Sequence, residues 1–145
     1  MKILLQRVSR ALVRVDGEEI ARIEKGILAL VGIEKGDSKE SVNVLAEKTA
    51  MLRIFSDNDG KMNLSCADIG GKILAVSQFT LAGNCAKGRR PSFDNAAHPE
   101  TARELYELYV KKVEAFGIPT EQGLFGADMK VELLNDGPVT FLLEK

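Results

Sequence analysis

The sequence predicts an α+β fold, a single domain over residues 1–145, with mostly antiparallel β-sheets and two main helices covering one side. Three observations lead there. Short extended stretches follow one another with turn residues between them, as hairpins do. Only two stretches carry a sustained helical period. No internal repeat, low-complexity tract or Pro/Ser-rich linker divides the chain. With 145 residues, 45% of them hydrophobic and 28% charged, the chain has material for one core without staples.

Ile3–Val8 and Arg10–Val15 read as extended, the second alternating Arg10 and Arg14 with apolar neighbours. Asp16-Gly17 is a two-residue hairpin signal, and Glu18–Ile23 is the returning strand. Gly26–Ile33 (GILALVGI) is an apolar run of strand length. Asp37 opens a helix, with Glu40 three residues on to complete a capping box. Val42, Leu45, Ala46, Thr49 and Leu52 share one face of it. Arg53–Phe55 is a short strand, Ser56–Gly60 a turn, and Met62 and Leu64 a hairpin return. After Gly70-Gly71, Lys72–Phe79 forms a strongly apolar strand. Ala82–Pro99 has no period and reads as a long loop, which in a compact domain is usually functional or mobile. The second helix runs from Glu100 to Phe116, with Ala102, Leu105, Tyr109, Val113 and Phe116 inward and Gly117 and Pro119 ending it. Met129–Leu134 and Val139–Leu143 close the chain as two strands around Asn135-Asp136-Gly137-Pro138.

Composition excludes several classes of function. Twenty Lys and Arg against 21 Asp and Glu leave a net charge of −1, so bulk charge would not hold the protein to nucleic acid, although a local basic patch could. Cys66 and Cys85 are the only thiols and form no CxxC pair, which argues against a disulfide framework or a Cys-rich zinc site. No apolar run approaches the ~18 residues of a membrane span. The Met1–Leu5 segment resembles the start of a signal peptide but is interrupted by Gln6, Arg7 and Arg10. A soluble, cytoplasmic protein without membrane partners is expected.

The chemistry-bearing residues are few. His98 is the only histidine, so a Ser–His hydrolase would have to use it and a His-based metal cluster is excluded. Its place before Pro99, at a helix start, suits a solvated loop residue better than a base. Asp57-Asn58-Asp59-Gly60 lacks the remaining ligands of an EF-hand and reads as a turn. There is no GxxxxGK[ST] or GxGxxG phosphate loop. Neither cysteine has a histidine nearby to make it a nucleophile. No metal and no cofactor are expected. Two segments stand apart. Ser77-Gln78-Phe79-Thr80 ends a buried strand with four functional side chains in a row, and Asn135–Thr140 (NDGPVT) would otherwise be a hairpin turn. Most X-Pro bonds are trans, so spacing alone says nothing for a cis bond at Pro138.

SQFTL at Ser77–Leu81 and NDGPVT at Asn135–Thr140 resemble the paired signatures of the D-aminoacyl-tRNA deacylases, the D-Tyr-tRNA deacylase family. LQRVSRA at Leu5–Ala11, LRIF at Leu52–Phe55, GKMNLS at Gly60–Ser65, GRRPSF at Gly88–Phe93 and FGADM at Phe125–Met129 extend the likeness over essentially the whole chain. The resemblance implies a barrel-like core of mostly antiparallel sheets covered by two main helices, and an obligate homodimer with two active sites along the subunit interface. It implies that Gly137-Pro138 is a cis dipeptide that each subunit inserts into its partner's pocket. Ser77, Gln78, Phe79 and Thr80 would line that pocket around the terminal adenosine and the aminoacyl group of an aminoacyl-tRNA. Met129 resembles a further pocket position, and Arg7 is a candidate for holding the interface around the inserted dipeptide.

The implied reaction is hydrolysis of the ester joining a D-amino acid to the terminal ribose. Two carbonyls of the dipeptide would hold the α-ammonium by charge-assisted hydrogen bonds. A main-chain wall would then reject the L side chain by collision, while Gly137 lets the backbone come close. Many D-residues, and glycine, should be admitted. The scarcity of acid–base groups fits substrate assistance, in which the 2′-hydroxyl of the terminal adenosine helps to activate water. The protein would supply positioning and backbone N–H groups at Phe79 and Thr80. Thr80 as a covalent nucleophile is disfavoured, because it would need an adjacent base. Ala82-Gly83-Asn84-Cys85-Ala86 departs from the aromatic and basic run that the family often has there. The cluster Lys87, Arg89 and Arg90 is either a phosphate contact or a solvated charge run. Two other readings stand beside this one: a non-catalytic nucleic-acid-binding β-module using Phe79, Phe93 and the basic loop, and a Ser/Thr hydrolase using His98.

Overall fold

Alternation of apolar residues along the first fifteen positions sets the layout. In the computed structural model, which describes residues 1–145, Lys2–Val15 (β1) is one unbroken strand where two extended segments were expected. Asp16 and Gly17 both have left-handed φ, 50° and 86°, as the tight two-residue hairpin requires, and Glu18–Ile23 (β2) returns along β1. Gly26–Gly32 (β3) continues in the same direction. β2 covers the second half of β1 (Ala11↔Ile23 to Val15↔Glu18), and β3 covers the first half (Lys2↔Gly32 to Val8↔Gly26). Lys130–Glu144 (β8) pairs with β1 from Lys2 to Arg14, and so takes the whole of its opposite edge.

Beyond β3 the sheet becomes mixed. Lys72–Ser77 (β6) lies parallel to β3, with Gly26↔Lys72 through Val31↔Ser77 in register, and Thr120–Gln122 (β7) lies parallel to β6. Each parallel pair needs a crossover. The first is Lys39–Met51 (α1) followed by the small hairpin Phe55–Ser56 (β4) and Met62–Leu64 (β5); the second is Pro99–Glu114 (α2). The mostly hairpin-like succession expected from the sequence gains two crossovers here, and antiparallel pairs remain the majority. A parallel strand covered on both faces shows an unbroken apolar run instead of alternation, and GILALVG and ILAV are such runs. Ile27, Ala29, Ile73 and Ala75 face the helices, while Leu28, Leu74 and Val76 face the other way.

That second face is the inside of a nearly closed barrel. β2 curls round to touch β6 and β7, and Val8, Ala11, Val13, Ala21 and Ile23 fill the interior together with Leu28, Leu74 and Val76. On the outer face α1 and α2 pack together, burying Val42, Leu45 and Ala46 against Tyr109, Val110 and Val113. The polar atoms in this layer are satisfied. Tyr109 donates to Thr49 Oγ1 (3.1 Å), Thr49 donates to the Leu45 carbonyl (2.8 Å), and Tyr106 donates to the Ala75 carbonyl (2.9 Å), tying α2 to β6. No helix is long and apolar enough to cross a membrane.

Helix ends depart from expectation in two places. Ser38, not Asp37, is the N-cap of α1, and no side chain caps it. Asp37 is engaged elsewhere. Its Oδ1 accepts a hydrogen bond from the ammonium group of Met1 (2.6 Å) and its Oδ2 another from the Glu34 amide (2.7 Å), so both oxygens are occupied away from the helix start. α2 ends at Glu114, and Phe116 lies exposed beyond it, before Gly117 with φ 79°.

Candidate active site

β6 stops at Ser77, two residues earlier than expected. The Gln78 amide still donates to the Val31 carbonyl (2.8 Å), and the chain then turns into a short 3₁₀ segment, Phe79–Ala82. Glycines make room for that turn. A Cβ on Gly32 would meet Leu81 Cβ at 2.8 Å, and one on Gly83 would meet the Thr80 carbonyl at 2.8 Å and the Phe93 ring at 3.0 Å. Phe79 is thereby held outward, 59% exposed, with its ring centroid 5.0 Å from that of Phe93. The Gln78 side chain donates through Nε2 to Thr80 Oγ1. Leu81 N–H closes on the Gln78 carbonyl (3.2 Å) and Gly83 N–H on that of Thr80 (2.9 Å). The N–H groups of Phe79 and Thr80 precede the first bond of the segment and take no partner among the turn and cap hydrogen bonds.

This turn stands at a cavity of about 720 Å³ between the mouth of the barrel and the start of α2. Its walls are mainly apolar, with Val31, Val76 and Val131 from the strands and Phe79, Phe93 and Phe125 around them. Met129 also lines it, packed where a Cβ on Gly123 would meet its sulfur at 2.6 Å. The polar side chains are Lys35, Ser77, Gln78, His98 and Asp128, and Asp128 is paired with Lys130 at 2.9 Å. Thr80 is exposed beside the cavity but outside its lining. His98 sits in the wall as the N-cap residue of α2, with no hydrogen bond linking its imidazole to Ser77, Thr80 or a carboxylate. A hydrolytic base therefore has no orienting partner here. Cys66 is buried, and burial pushes its thiol up to about 12, far from a reactive thiolate. No three His, Cys, Asp or Glu side chains converge as a metal-holding group.

The Asn135–Thr140 segment forms a second cluster, and it is not a hairpin between two strands. β8 stays antiparallel to β1 on both sides of it, Val8↔Asn135 and Gln6↔Thr140, so that Asp136-Gly137-Pro138-Val139 bulges out opposite the single residue Arg7. The Gly137–Pro138 peptide is cis. Arg7 braces the bulge: Nε donates to the Asp136 carbonyl (3.1 Å) and lies 3.2 Å from Asp136 Oδ2, while Nη1 donates to the Ile54 carbonyl (2.7 Å). Asn135 latches its two ends, spending both amide N–H bonds on the carbonyls of Arg7 (2.8 Å) and Val139 (3.0 Å). Gly137 has φ 124°, and a Cβ there would meet Val139 Cγ2 at 2.7 Å and Arg7 Nη2 at 2.9 Å. Gly137 and Pro138 are exposed and line no part of their own chain's cavity. Ser77, Gln78, Phe79 and Met129 thus gather with Thr80 alongside, while Arg7, Gly137 and Pro138 form the separate bulge. Sequence reasoning missed the latch of Asn135, for which an Asn at the start of a Gly-Pro turn is the available signal, and the wall positions of Lys35 and Phe125, for which there was none.

The profile of the family described as D-Tyr-tRNA(Tyr) deacylase matches residues 4–144. The chain belongs to this family. Among its relatives, a protein of Geotalea daltonii named D-aminoacyl-tRNA deacylase is 60% identical over 144 residues, which cover 99% of this chain and 96% of that one. One of the same name from Pelobacter propionicus is 59% identical over 145 residues, 100% of both. A solved structure titled c-Myc DNA Unwinding Element Binding Protein superposes with a TM-score of 0.94 at 39% identity, covering 100% of this chain and 99% of that one. A probable eukaryotic D-amino acid tRNA deacylase, at a TM-score of 0.83 and 17% identity over 98% of this chain and 97% of that one, shares the fold. The barrel-like core and two covering helices expected of the D-Tyr-tRNA deacylase family are the architecture found, with the two parallel pairings as the addition.

Proposed function

We propose that the protein hydrolyses the ester bond of D-aminoacyl-tRNA, releasing free D-amino acid and tRNA, with residues 1–145 acting as one deacylase domain in a homodimer. One observation carries the reading: in a chain of this family, an apolar cavity of about 720 Å³ opens beside a turn whose Phe79 and Thr80 N–H groups take no partner among the turn and cap hydrogen bonds, and in this reading they meet the developing oxyanion. The cavity has volume for the terminal adenosine and an aminoacyl group, with Ser77, Gln78, Phe79 and Met129 as its contacts.

Chirality is judged, in this reading, by Gly137 and Pro138 entering the partner subunit's cavity. Two features support it. The bulge is braced by Arg7 and Asn135, yet Gly137 and Pro138 are exposed and line no part of their own chain's cavity. The outer edge of β8 is unpaired and carries Leu134 and Leu142, 51% and 50% exposed, with Leu133 and Phe141 also exposed, a long apolar edge of the kind that calls for a cover. Main-chain carbonyls would fix the substrate ammonium, and the backbone wall would leave no room for an L side chain. Glycine, lacking a side chain, passes the same test, so glycyl-tRNA is a substrate as well. Water is activated by the 2′-hydroxyl of the terminal adenosine. In keeping with this, Thr80 Oγ1 accepts from the side-chain Nε2 of Gln78 and has neither imidazole nor carboxylate bonded to it.

The deciding experiment compares D-Tyr-tRNA with L-Tyr-tRNA: release of D-tyrosine alone is expected, and equal turnover of both overturns the wall. Turnover that survives a 2′-deoxy terminal adenosine overturns substrate assistance, and Thr80→Ala is expected to keep near-normal turnover. A second reading, nucleic-acid binding without catalysis, is favoured by the exposed Phe79–Phe93 pair beside Lys87, Arg89 and Arg90. Binding of charged tRNA without release of an amino acid would establish it.

A further inference from the structure

A protein of net charge −1 has no overall attraction for a polyanion, so any grip on one must be local. Between Phe79 and Phe93 there are three cations and no carboxylate. Of the 20 Lys and Arg, Lys2, Arg7, Arg14, Arg22, Lys72 and Lys130 are paired with acidic side chains, and what sets the loop apart is three cations in four residues with no carboxylate among them. Lys87, Arg89 and Arg90 are exposed and share none of these ion pairs.

The backbone closes the loop that carries these three charges. Asn84 and Ser92 exchange both of their N–H···O bonds (2.7 and 2.9 Å) and close the loop at its base. Asn84 Oδ1 accepts from the Ala86 amide (2.8 Å), and Gly88 turns the tip with φ 71°. The residue after this closure is Phe93, which lines the cavity and packs on Phe79. The root of the loop is therefore cavity wall, and its tip is a cationic projection from the wall beside Phe79.

We propose that the Asn84–Ser92 loop clamps the sugar–phosphate backbone at the acceptor end of the tRNA, with Lys87, Arg89 and Arg90 neutralising phosphates while the aminoacylated terminus occupies the cavity. The inference rests on the deacylase reading, which puts a polyanion at this mouth. Guanidinium groups suit it, since they pair with phosphate through two parallel hydrogen bonds. The contacts carry no sequence information; they raise affinity and set orientation.

The test uses the full chain with Lys87→Gln, Arg89→Gln and Arg90→Gln combined, and two substrates: D-Tyr-tRNA and the phosphate-free ester 3′-O-(D-tyrosyl)adenosine. With D-Tyr-tRNA, KM is expected to rise about tenfold or more. The log–log dependence of kcat/KM on salt should become shallower by about 2, given roughly 0.7–0.9 per lost phosphate contact. Hydrolysis of the adenosine ester should match that of the unaltered protein. An unchanged salt slope overturns the clamp, and so does an equal loss on both substrates, which would place the effect in the Phe79–Phe93 wall. If the unaltered protein hydrolyses neither substrate, the deacylase reading itself falls and the clamp falls with it.

Discussion

Gly137 shows how much one missing side chain decides. Its φ of 124° is a conformation that L-residues with a Cβ rarely adopt, and the added carbon would press on both Val139 and the guanidinium of Arg7. Gly137→Ala is expected to strain the bulge by about 1–3 kcal/mol. It should lower deacylation of D-Tyr-tRNA at least tenfold while leaving far-UV circular dichroism unchanged. The two cysteines illustrate the opposite case, residues whose bland reading holds. Cys66 is buried and its thiol is pushed up to about 12, so at pH 8 it stays protonated and shielded, whereas Cys85 is exposed. Mass spectrometry after iodoacetamide should therefore show one adduct per native chain, at Cys85, and two after denaturation.

At the scale of elements, β8 carries the bulge proposed to judge chirality. The strand is not interrupted by a hairpin; it extrudes four residues against one of β1 and resumes its register. Asn135 makes this possible by standing in for the ladder at both ends of the bulge. Asn135→Ala leaves the carbonyls of Arg7 and Val139 without that donor, at a cost of about 1–3 kcal/mol. The expected outcome is a lower denaturation midpoint, faster amide exchange at Asp136 and Gly137, and a larger fall in kcat than in affinity for tRNA. The strands and helices themselves were largely readable. Asp16-Gly17 named the first hairpin, and most apolar positions of both helices were found because a 3.6-residue period reports the buried face directly, although Phe116 lies exposed past the end of α2 and Tyr106 and Val110 joined the buried face. Thr120–Gln122 was missed because three residues, buried only in part, carry no period. The parallel pairings were missed because an apolar run fits a buried strand in either direction.

For the whole molecule, the open edge of β8 is the feature that a lone subunit leaves unresolved. Replacing Leu134 and Leu142 by glutamate puts charge on the surface proposed as the subunit contact. Both side chains are half exposed, so the fold should survive. If the proposed dimer holds, analytical ultracentrifugation is expected to show a dimer for the unaltered chain and a folded monomer for the double variant, with deacylation lost as the proposed insertion of a partner's bulge requires. A double variant that stays dimeric and active would remove this edge from the interface.

By itself the sequence determined the family and the residue types of the site, because SQFTL and NDGPVT are contiguous words whose chemistry survives without coordinates. It also determined where the two helices and most strands run, since burial on one face imprints a local period. Tertiary structure alone decided that Ser77–Phe79 and Met129, some fifty residues apart in sequence, share one cavity, and that Lys35 and His98 stand in its wall. It alone decided that Asn135 latches the bulge and that Arg7, expected near the dipeptide, braces it from within the same chain. These are contacts between distant segments, and their partners are chosen by sheet register and packing, which no local pattern of residues records.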